Sequence, residues 1–282
     1  MIKFGPSGCC DRFLLDHKSV GDIPKWLSAQ GLDSFEYAFN KGIYISDEKA
    51  AYYKTIFEEN GIELTVHGPY FINFANPDDM MAEKSYGYIL NSLQKMKLMG
   101  AKKLVFHPGS LTKQTREMAF ALVLERLKQL IVLMDEQGYK DVFICPETMG
   151  KHGQIGTVEE VAQMCAIDER IIPTLDFGHI NAFTGGKIKT KQDYVDIFMI
   201  LKKYIGERYK NVHIHFSKIM YGEKGEIKHL TFSEDDVYGP DFQPLAEALI
   251  ELGINATVIC ESRGTQTDDA ITMKNIYNQL KK

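Results

Sequence analysis

The sequence lacks a hydrophobic run that could cross a membrane, since no stretch approaches about 18 consecutive apolar residues. Residues 1–6 lack the long apolar segment of a secretory signal peptide. The 5 cysteines are an odd number and do not have zinc-finger spacing. We therefore expect a cytoplasmic protein with reduced thiols and no membrane partner.

The chain also lacks an excess of positive charge, because its formal net charge is -5 and its pI is about 5.9. A protein that coats nucleic acid without specificity needs a basic surface to displace counterions, so this class is disfavoured. A local basic rim around an acidic site that holds a divalent cation remains compatible with this balance. The 44% hydrophobic and 25% charged residues are values typical of a globular protein.

Short apolar runs alternate with amphipathic segments along the whole chain. The predicted strands are 2–7, 34–39, 62–66, 103–106, 142–145, 171–175, 211–214 and 256–260. The predicted helices are 22–30, 46–61, 80–99, 115–136, one that begins near Thr157, 191–205, 242–252 and 268–280. The polar stretch 220–240 has no clear periodicity and is predicted to be a loop.

This alternation of strands and helices predicts a parallel sheet. Eight such units in roughly 250 residues have the size of a (β/α)8 TIM barrel, which we predict as a single domain over residues 1–282. A doubly wound open sheet is the alternative. It is less favoured because no Gly-x-Gly-x-x-Gly pattern follows the first strand.

Residues that commonly bind metals follow six of the predicted strands. They are His67, His107, Glu147, Asp176, His213 and Glu261. In a (β/α)8 barrel the carboxyl ends of all the strands open on one mouth, where catalytic groups lie. The sequence therefore predicts that these six side chains meet in one polar centre.

Imidazole and carboxylate ligands together suit zinc, manganese or iron. Glu147 could bridge two ions, since each of its oxygens can bind one of them. Two bridged ions favour hydrolysis of phosphate esters. A single ion held by three carboxylates and one histidine favours proton transfer beside a sugar carbonyl instead. In either case Glu147 and Glu261 are the predicted catalytic carboxylates.

The motifs at these strand ends resemble, in order, those of the endonuclease IV family, also called AP endonuclease family 2. They are HGPYFIN at 67–73, FHPGS at 106–110, PET at 146–148, LDFGH at 175–179, HIHFSK at 213–218 and CES at 260–262. The resemblance covers nearly the whole chain. It implies a zinc-dependent hydrolase that repairs DNA by cleaving the phosphodiester 5′ to an abasic sugar.

The resemblance also implies roles for individual residues. One zinc would be held by His67, His107 and Glu147. A second zinc would be held by Glu147, Asp176, His213 and Glu261, and a third by His179 and His229. Tyr70 matches the aromatic residue that enters the DNA near the lesion. Lys218 and Arg263 lie beside ligand positions, where they could bind substrate phosphate or form an ion pair that supports the fold. We expect a monomer that binds abasic DNA.

The chain departs from the family pattern at two places. The family has an Asn-Asp-Ser-Lys run where this chain has 215–218, so Phe216 stands in the position of an aspartate. The third zinc of the family takes an aspartate where this chain has Ile227. His215 or Glu226 could substitute for the missing ligand.

Sugar isomerases and epimerases on the same barrel are the alternative prediction. They hold one Mn²⁺ or Mg²⁺ with a Glu, Asp, His, Glu set, which Glu147, Asp176, His213 and Glu261 resemble. A third hypothesis is a barrel that binds metal but has lost turnover. The presence of both His67 and His107 favours the hydrolase, because an enzyme with one metal does not need them.

Overall fold

The computed structural model describes residues 2–234 and 237–282. The stretch 220–240 that the sequence predicts as a loop is thus described apart from residues 235 and 236, which lie outside the described residues. No helix in the part of the chain that the structure describes is both long and apolar enough to cross a membrane.

Eight parallel strands form a closed barrel, which confirms the predicted (β/α)8 fold. The strands of the described chain are β1 (Lys3–Pro6), β2 (Ser34–Ala38), β3 (Glu63–His67), β4 (Lys103–Phe106), β5 (Gly109–Ser110), β6 (Phe143–Pro146), β7 (Gln154–Ile155), β8 (Thr174–Asp176), β9 (Asn211–Phe216), β10 (Lys218–Gly222), β11 (Gly225–Leu230) and β12 (Asn255–Cys260). Two four-stranded ladders have the orders β2-β3-β4-β6 and β1-β12-β9-β8. Bridges between Ser7 and Glu36 and between Glu147 and Thr174 join them into a ring.

Helices surround the barrel, and several of them begin at a polar residue whose side chain caps the first turn. They are α1 (Asp11–Asp16), α2 (Ile23–Ala29), α3 (Asp47–Glu59), α4 (Asp79–Leu98), α5 (Arg116–Glu136), α6 (Val158–Cys165), α7 (Phe177–Phe183), α8 (Lys191–Ile205), α9 (Phe242–Leu252) and α10 (Gln266–Leu280). Ser46 caps α3 by accepting a hydrogen bond from the backbone N–H of Lys49. Thr157 and Glu160 form a capping box at the start of α6, in agreement with the helix predicted to begin near Thr157.

The side chains of each barrel strand alternate between the helices and the barrel interior. On β9, the buried rings of Phe216 and of Phe242 from α9 meet with centroids 5.1 Å apart. His213 and His215 of the same strand project into the interior, where both are fully buried. The interior therefore carries a polar layer inside an apolar shell.

Two local predictions differ from the structure, and one short helix was not predicted. The strand before Glu147 runs from Phe143 to Pro146, one residue later than predicted, because Pro146 ends the ladder opposite Phe106. The stretch predicted to be a loop contains β10 and β11, which pair as an antiparallel ribbon. Helix α7 starts directly after Asp176, which accepts a hydrogen bond from the backbone N–H of His179.

Candidate metal centre

Glu147 lies at the centre of the barrel mouth and faces imidazoles on two sides. Its Oε2 is 3.2 Å from Nε2 of His67 and 3.2 Å from Nε2 of His107. Its Oε1 is 3.1 Å from Nδ1 of His215 and 3.3 Å from Nδ1 of His179. The two oxygens of one buried carboxylate therefore belong to two different donor sets, which is the arrangement a bridging ligand requires.

The first donor set consists of His67, His107 and Glu147, whose potential ligand atoms lie within 4.8 Å of one another. His67 ends β3, and His107 follows β4, the neighbouring strand in the ladder. The Nδ1 atom of His67 lies 2.9 Å from the backbone oxygen of Gly68 and can donate its proton to it. The lone pair of Nε2 is then directed at the site.

The second donor set consists of Glu147, Asp176, His215 and Glu261, also within 4.8 Å. His213, which the resemblance implied for this set, does not belong to it. The register pairs Asp176 with His215, whereas His213 pairs with Thr174, two residues deeper along the strands. Two residues correspond to about 6.6 Å, so His213 lies one layer below the mouth and contacts Glu36 instead.

The third donor set consists of His179, Glu226 and His229. Nε2 of His179 is 3.5 Å from Oε2 of Glu226, and Nε2 of His229 is 3.9 Å from Oε1 of the same residue. Ile227, which stands at the position of the family aspartate, is 59% exposed and points away from the set. Glu226 thus supplies a carboxylate there, as the sequence allowed.

The electrostatics of the site reflect a dense mixture of carboxylates and imidazoles. Burial by itself would raise the pKa of Glu147, but the charge of His215 and the hydrogen bonds of three imidazoles lower it well below its ordinary value. Burial lowers the pKa of His67, yet its hydrogen bond to Glu147 and the charge of Glu147 outweigh this and raise it to about 9. The site therefore favours the ionised form of Glu147 and the protonated form of His67.

The donors present fit a divalent cation. Asp176 is fully buried, and its Oδ2 has no hydrogen-bond partner among the described residues. Burial, together with the negative charges of Glu261 and Glu147, raises its pKa despite the opposing effect of His179. A buried, unsatisfied carboxylate oxygen is costly unless a cation or donor meets it. Mixed imidazole and carboxylate ligands match zinc or manganese.

A cavity of about 290 Å³ opens above these donors. Tyr70 lines it and is 47% exposed, consistent with the predicted position at the substrate. Arg263 lines an adjoining cavity, which shares Glu226, His229 and Glu261 with the first. Lys218 is not brought to either cavity, because it is buried and donates a hydrogen bond to the backbone oxygen of Phe232.

Sequence reasoning missed Glu36, a residue beneath the site, and left His215 as an option. His215 was available only as a substitute, because the motif alignment selected His213 two residues earlier on the same face of the strand. Glu36 on β2 was not singled out, although it lies fully buried beneath the site. The sequence feature that could have indicated Glu36 is a charged residue within the apolar run 34–39. A buried strand does not tolerate such a charge without a partner.

Comparisons with known proteins agree with this architecture. The family model described as a xylose isomerase-like TIM barrel matches residues 24–277. An uncharacterized protein of Methanocaldococcus jannaschii is 30% identical over 281 residues, covering 99% of this chain and 98% of that protein. A probable endonuclease 4 of Mycoplasmoides gallisepticum is 32% identical over 171 residues, which are 58% of this chain and 54% of that relative. The match thus spans about half of that relative's length.

Solved structures of two functional kinds share the fold. Endonuclease IV from Thermus thermophilus superposes with a TM-score of 0.69 at 18% identity, over 99% of this chain and 97% of that one. D-psicose 3-epimerase from Clostridium cellulolyticum superposes with a TM-score of 0.69 at 16% identity, over 98% of both chains. At these identities the likeness concerns the fold alone. The match of the family model over nearly the whole chain shows that this protein belongs to the xylose isomerase-like TIM barrel family.

Proposed function

We propose that this protein is a zinc-dependent phosphodiester hydrolase that cleaves DNA 5′ to abasic sites, in the manner of endonuclease IV. The proposal rests on the placement of the two carboxylate oxygens of Glu147. Oε2 faces His67 and His107, and Oε1 faces His215 and His179. A barrel that holds a single ion has no use for the first of these sets.

Zinc bound by these sets would polarise a phosphate oxygen and lower the pKa of a bound water. The residues of the chain would supply the geometry. Glu147 would hold the two donor sets at a fixed separation. Glu261, whose side chain is 18% exposed and lines the cavity, would face the scissile phosphate and accept a proton from the attacking water.

The third donor set supports the hydrolase more than the isomerase. His179 has its Nδ1 3.0 Å from the backbone oxygen of Thr148, and His229 has its Nδ1 2.8 Å from Oγ of Ser217. Both rings are thereby oriented with Nε2 toward Glu226. This set would provide the third zinc position with a glutamate in place of the family aspartate.

The rim of the mouth offers contacts for a polyanion. Lys151 lines the main cavity, and Lys228 and Arg263 line the adjoining one, all three with exposed side chains. The exposed ring of Tyr70 stands at the same mouth. These cations would bind the backbone phosphates on either side of the lesion, while the ring would stack at the abasic gap.

The experiment that tests the proposal combines metal analysis with a nicking assay. The purified protein is expected to contain at least two zinc ions per chain. It should cut a labelled duplex that carries one tetrahydrofuran abasic analogue, immediately 5′ to it, and a chelator should stop the cutting. Glu147→Gln should abolish both metal retention and nicking, whereas Glu223→Gln on the exposed turn of the ribbon should not.

A metal-dependent sugar isomerase or epimerase is the second candidate. The observation that favours it is the second donor set alone, since Glu147 and Glu261 could act as paired acid and base beside one ion. It predicts one ion per chain, exchange of solvent deuterium into a ketose and no nicking. Bound metal with neither activity would instead support a barrel that has lost turnover.

A further inference from the structure

A buried polar layer lies beneath the candidate metal centre. It consists of Glu36 and its partners Thr65, His213 and His215. The side chain of Glu36 is fully buried on β2. Its Oε1 lies 2.9 Å from Nε2 of His215, and its Oε2 lies 2.9 Å from Nε2 of His213. Thr65 Oγ1 donates a further hydrogen bond of 2.9 Å to Oε2. A buried carboxylate is stable only with such partners, so this layer holds Glu36 in one position.

His215 connects Glu36 with the second donor set. While its Nε2 faces Glu36, its Nδ1 lies 3.1 Å from Oε1 of Glu147 and 3.5 Å from Oε1 of Glu261. A neutral imidazole has one N–H and one lone pair. If the proton lies on Nε2, which is 2.9 Å from the Glu36 carboxylate, the lone pair of Nδ1 is left for a cation held by the second set.

His215 is oriented differently from His67 and His229. His67 and His229 each have Nδ1 at a neutral oxygen and turn Nε2 toward a donor set. Nδ1 of His179 contacts the backbone oxygen of Thr148 but also lies 3.3 Å from Oε1 of Glu147 and 3.3 Å from Oδ2 of Asp176. His215 turns Nδ1 toward the second donor set and, unlike His67 and His229, has a fully buried carboxylate at its other nitrogen. A charged partner fixes the tautomer more firmly than a carbonyl or hydroxyl and makes the free nitrogen more basic.

The layer is not itself a cation site. Donor atoms of Glu36, His213 and His215 do lie within 4.8 Å of one another. However, Oε2 of Glu36 already has hydrogen-bond contacts of 2.9 Å with His213 and 2.9 Å with Thr65, and Oε1 forms an ion-pair contact of 2.9 Å with Nε2 of His215. His213 and Thr65 therefore serve to hold Glu36.

We propose that Glu36 is a positioning residue, which keeps the proton of His215 on Nε2 so that Nδ1 binds the divalent cation of the second donor set. The inference rests on the proposed metal centre, and it adds a residue that the motifs did not contain. It also assigns His213 a supporting role in place of the ligand role implied by the resemblance.

The test uses zinc-loaded protein with ¹⁵N-labelled histidine. The nitrogen shifts of wild-type His215 are expected to show a metal-bound Nδ1 and a protonated Nε2. Glu36→Gln should weaken binding of one zinc by about 10- to 100-fold in competition with a chelator, while the other ions stay bound. The matched control is Glu223→Gln, which neutralises an exposed carboxylate outside the donor sets and should change zinc binding by less than about threefold.

Each outcome separates this inference from the proposed function. Zinc on Nδ1 of His215 without nicking of abasic DNA would support the positioning role and reject the nuclease. Zinc on Nε2 of His215, or full zinc affinity in Glu36→Gln, would overturn the positioning role whatever the nicking assay gives. The measurement on wild-type protein decides the matter even if Glu36→Gln does not fold.

Discussion

Glu226 provides the carboxylate that the family pattern places one residue later, at the position of Ile227. The adjacent Ile227 occupies the aspartate position in the sequence, yet it is exposed and Glu226 faces His179 and His229. Along a strand, neighbouring side chains point to opposite faces. A shift of one residue therefore moves the carboxylate into the site, and its longer side chain keeps the required reach.

The first prediction concerns Glu226→Ala. Because this change removes the only carboxylate of the third donor set among the described residues, we expect one zinc fewer per chain and nicking of abasic DNA about 100-fold slower. Metal analysis and the nicking rate measure the two effects. Ile227→Ala is the matched control and should leave both unchanged. Retention of all the zinc in Glu226→Ala would show that this set does not bind metal.

The second prediction concerns Glu63, at the opposite end of the barrel from the mouth. Its Oε2 lies 2.7 Å from Nζ of Lys3, and its Oε1 lies 3.2 Å from Nζ of Lys103. Burial by itself would raise the pKa of Glu63, but the two lysines and a hydrogen bond from Thr257 lower it from 4.5 to about 2. The charged form is thus favoured in the folded state.

The lowered pKa of Glu63 determines how the stability of the fold depends on pH. The stabilisation by Glu63 is complete above pH 4.5 and is lost as the pH falls toward 2. We expect Glu63→Gln to lower the free energy of unfolding by about 1 to 3 kcal/mol at pH 7 and by much less near pH 2. Urea unfolding at several pH values measures this. An equal loss at every pH would mean that packing, and not charge, explains the effect.

At the scale of elements, the β10–β11 ribbon completes the centre. It packs against the loop after β6, where the backbone N–H of Glu226 donates to the oxygen of Gly150. A Cβ on Gly150 would lie 2.8 Å from Cβ of Glu226 and 3.0 Å from Cδ2 of His179. The absence of a side chain at Gly150 therefore allows the ribbon to approach the barrel.

The third prediction follows from this contact. Gly150→Ala should push the ribbon outward and weaken zinc binding at the third donor set by at least about tenfold, with the other ions retained. Stepwise removal of zinc by a chelator measures it. The matched control is Gly153→Ala, since an added Cβ there meets no atom within 4 Å. Equal zinc affinity in both variants would argue against this role of the ribbon.

Helix starts could be predicted from local sequence, but the orientation of strand residues toward the site could not. Thr157 and Ser46 were predicted as helix starts because a cap depends on the local sequence, and both are confirmed. His213 and His215 could not be separated in the same way. They lie on the same face of β9, and only the pairing register with β8 decides which one reaches the mouth.

At the scale of the whole molecule, the charge distribution provides a way to test whether the substrate is DNA or a small sugar. The chain has a net charge of -5, yet Lys228 and Arg263 stand exposed beside the metal centre. A DNA duplex would engage these cations through its phosphates, and a neutral sugar would not. The salt dependence of binding therefore reports the substrate class.

The fourth prediction is that Lys228→Gln and Arg263→Gln each weaken binding of an abasic duplex. Each should also reduce the slope of log K against log salt by about 0.9, the effect of one lost phosphate contact. Fluorescence anisotropy over a salt series measures this. Lys25→Gln, at an exposed position of α2, should change neither value. Unaltered slopes in the mouth variants would favour the sugar substrate.

The sequence by itself determined the architecture and most of the donors. Alternating strands and helices specify a (β/α)8 barrel because each segment must bury one face, and the strand ends then converge at one mouth. Only the tertiary structure decided the choice of His215 over His213, the turn of Glu226 toward the cavity and the place of Glu36. Those outcomes depend on register and packing between segments far apart in the chain, which no local pattern of residues encodes.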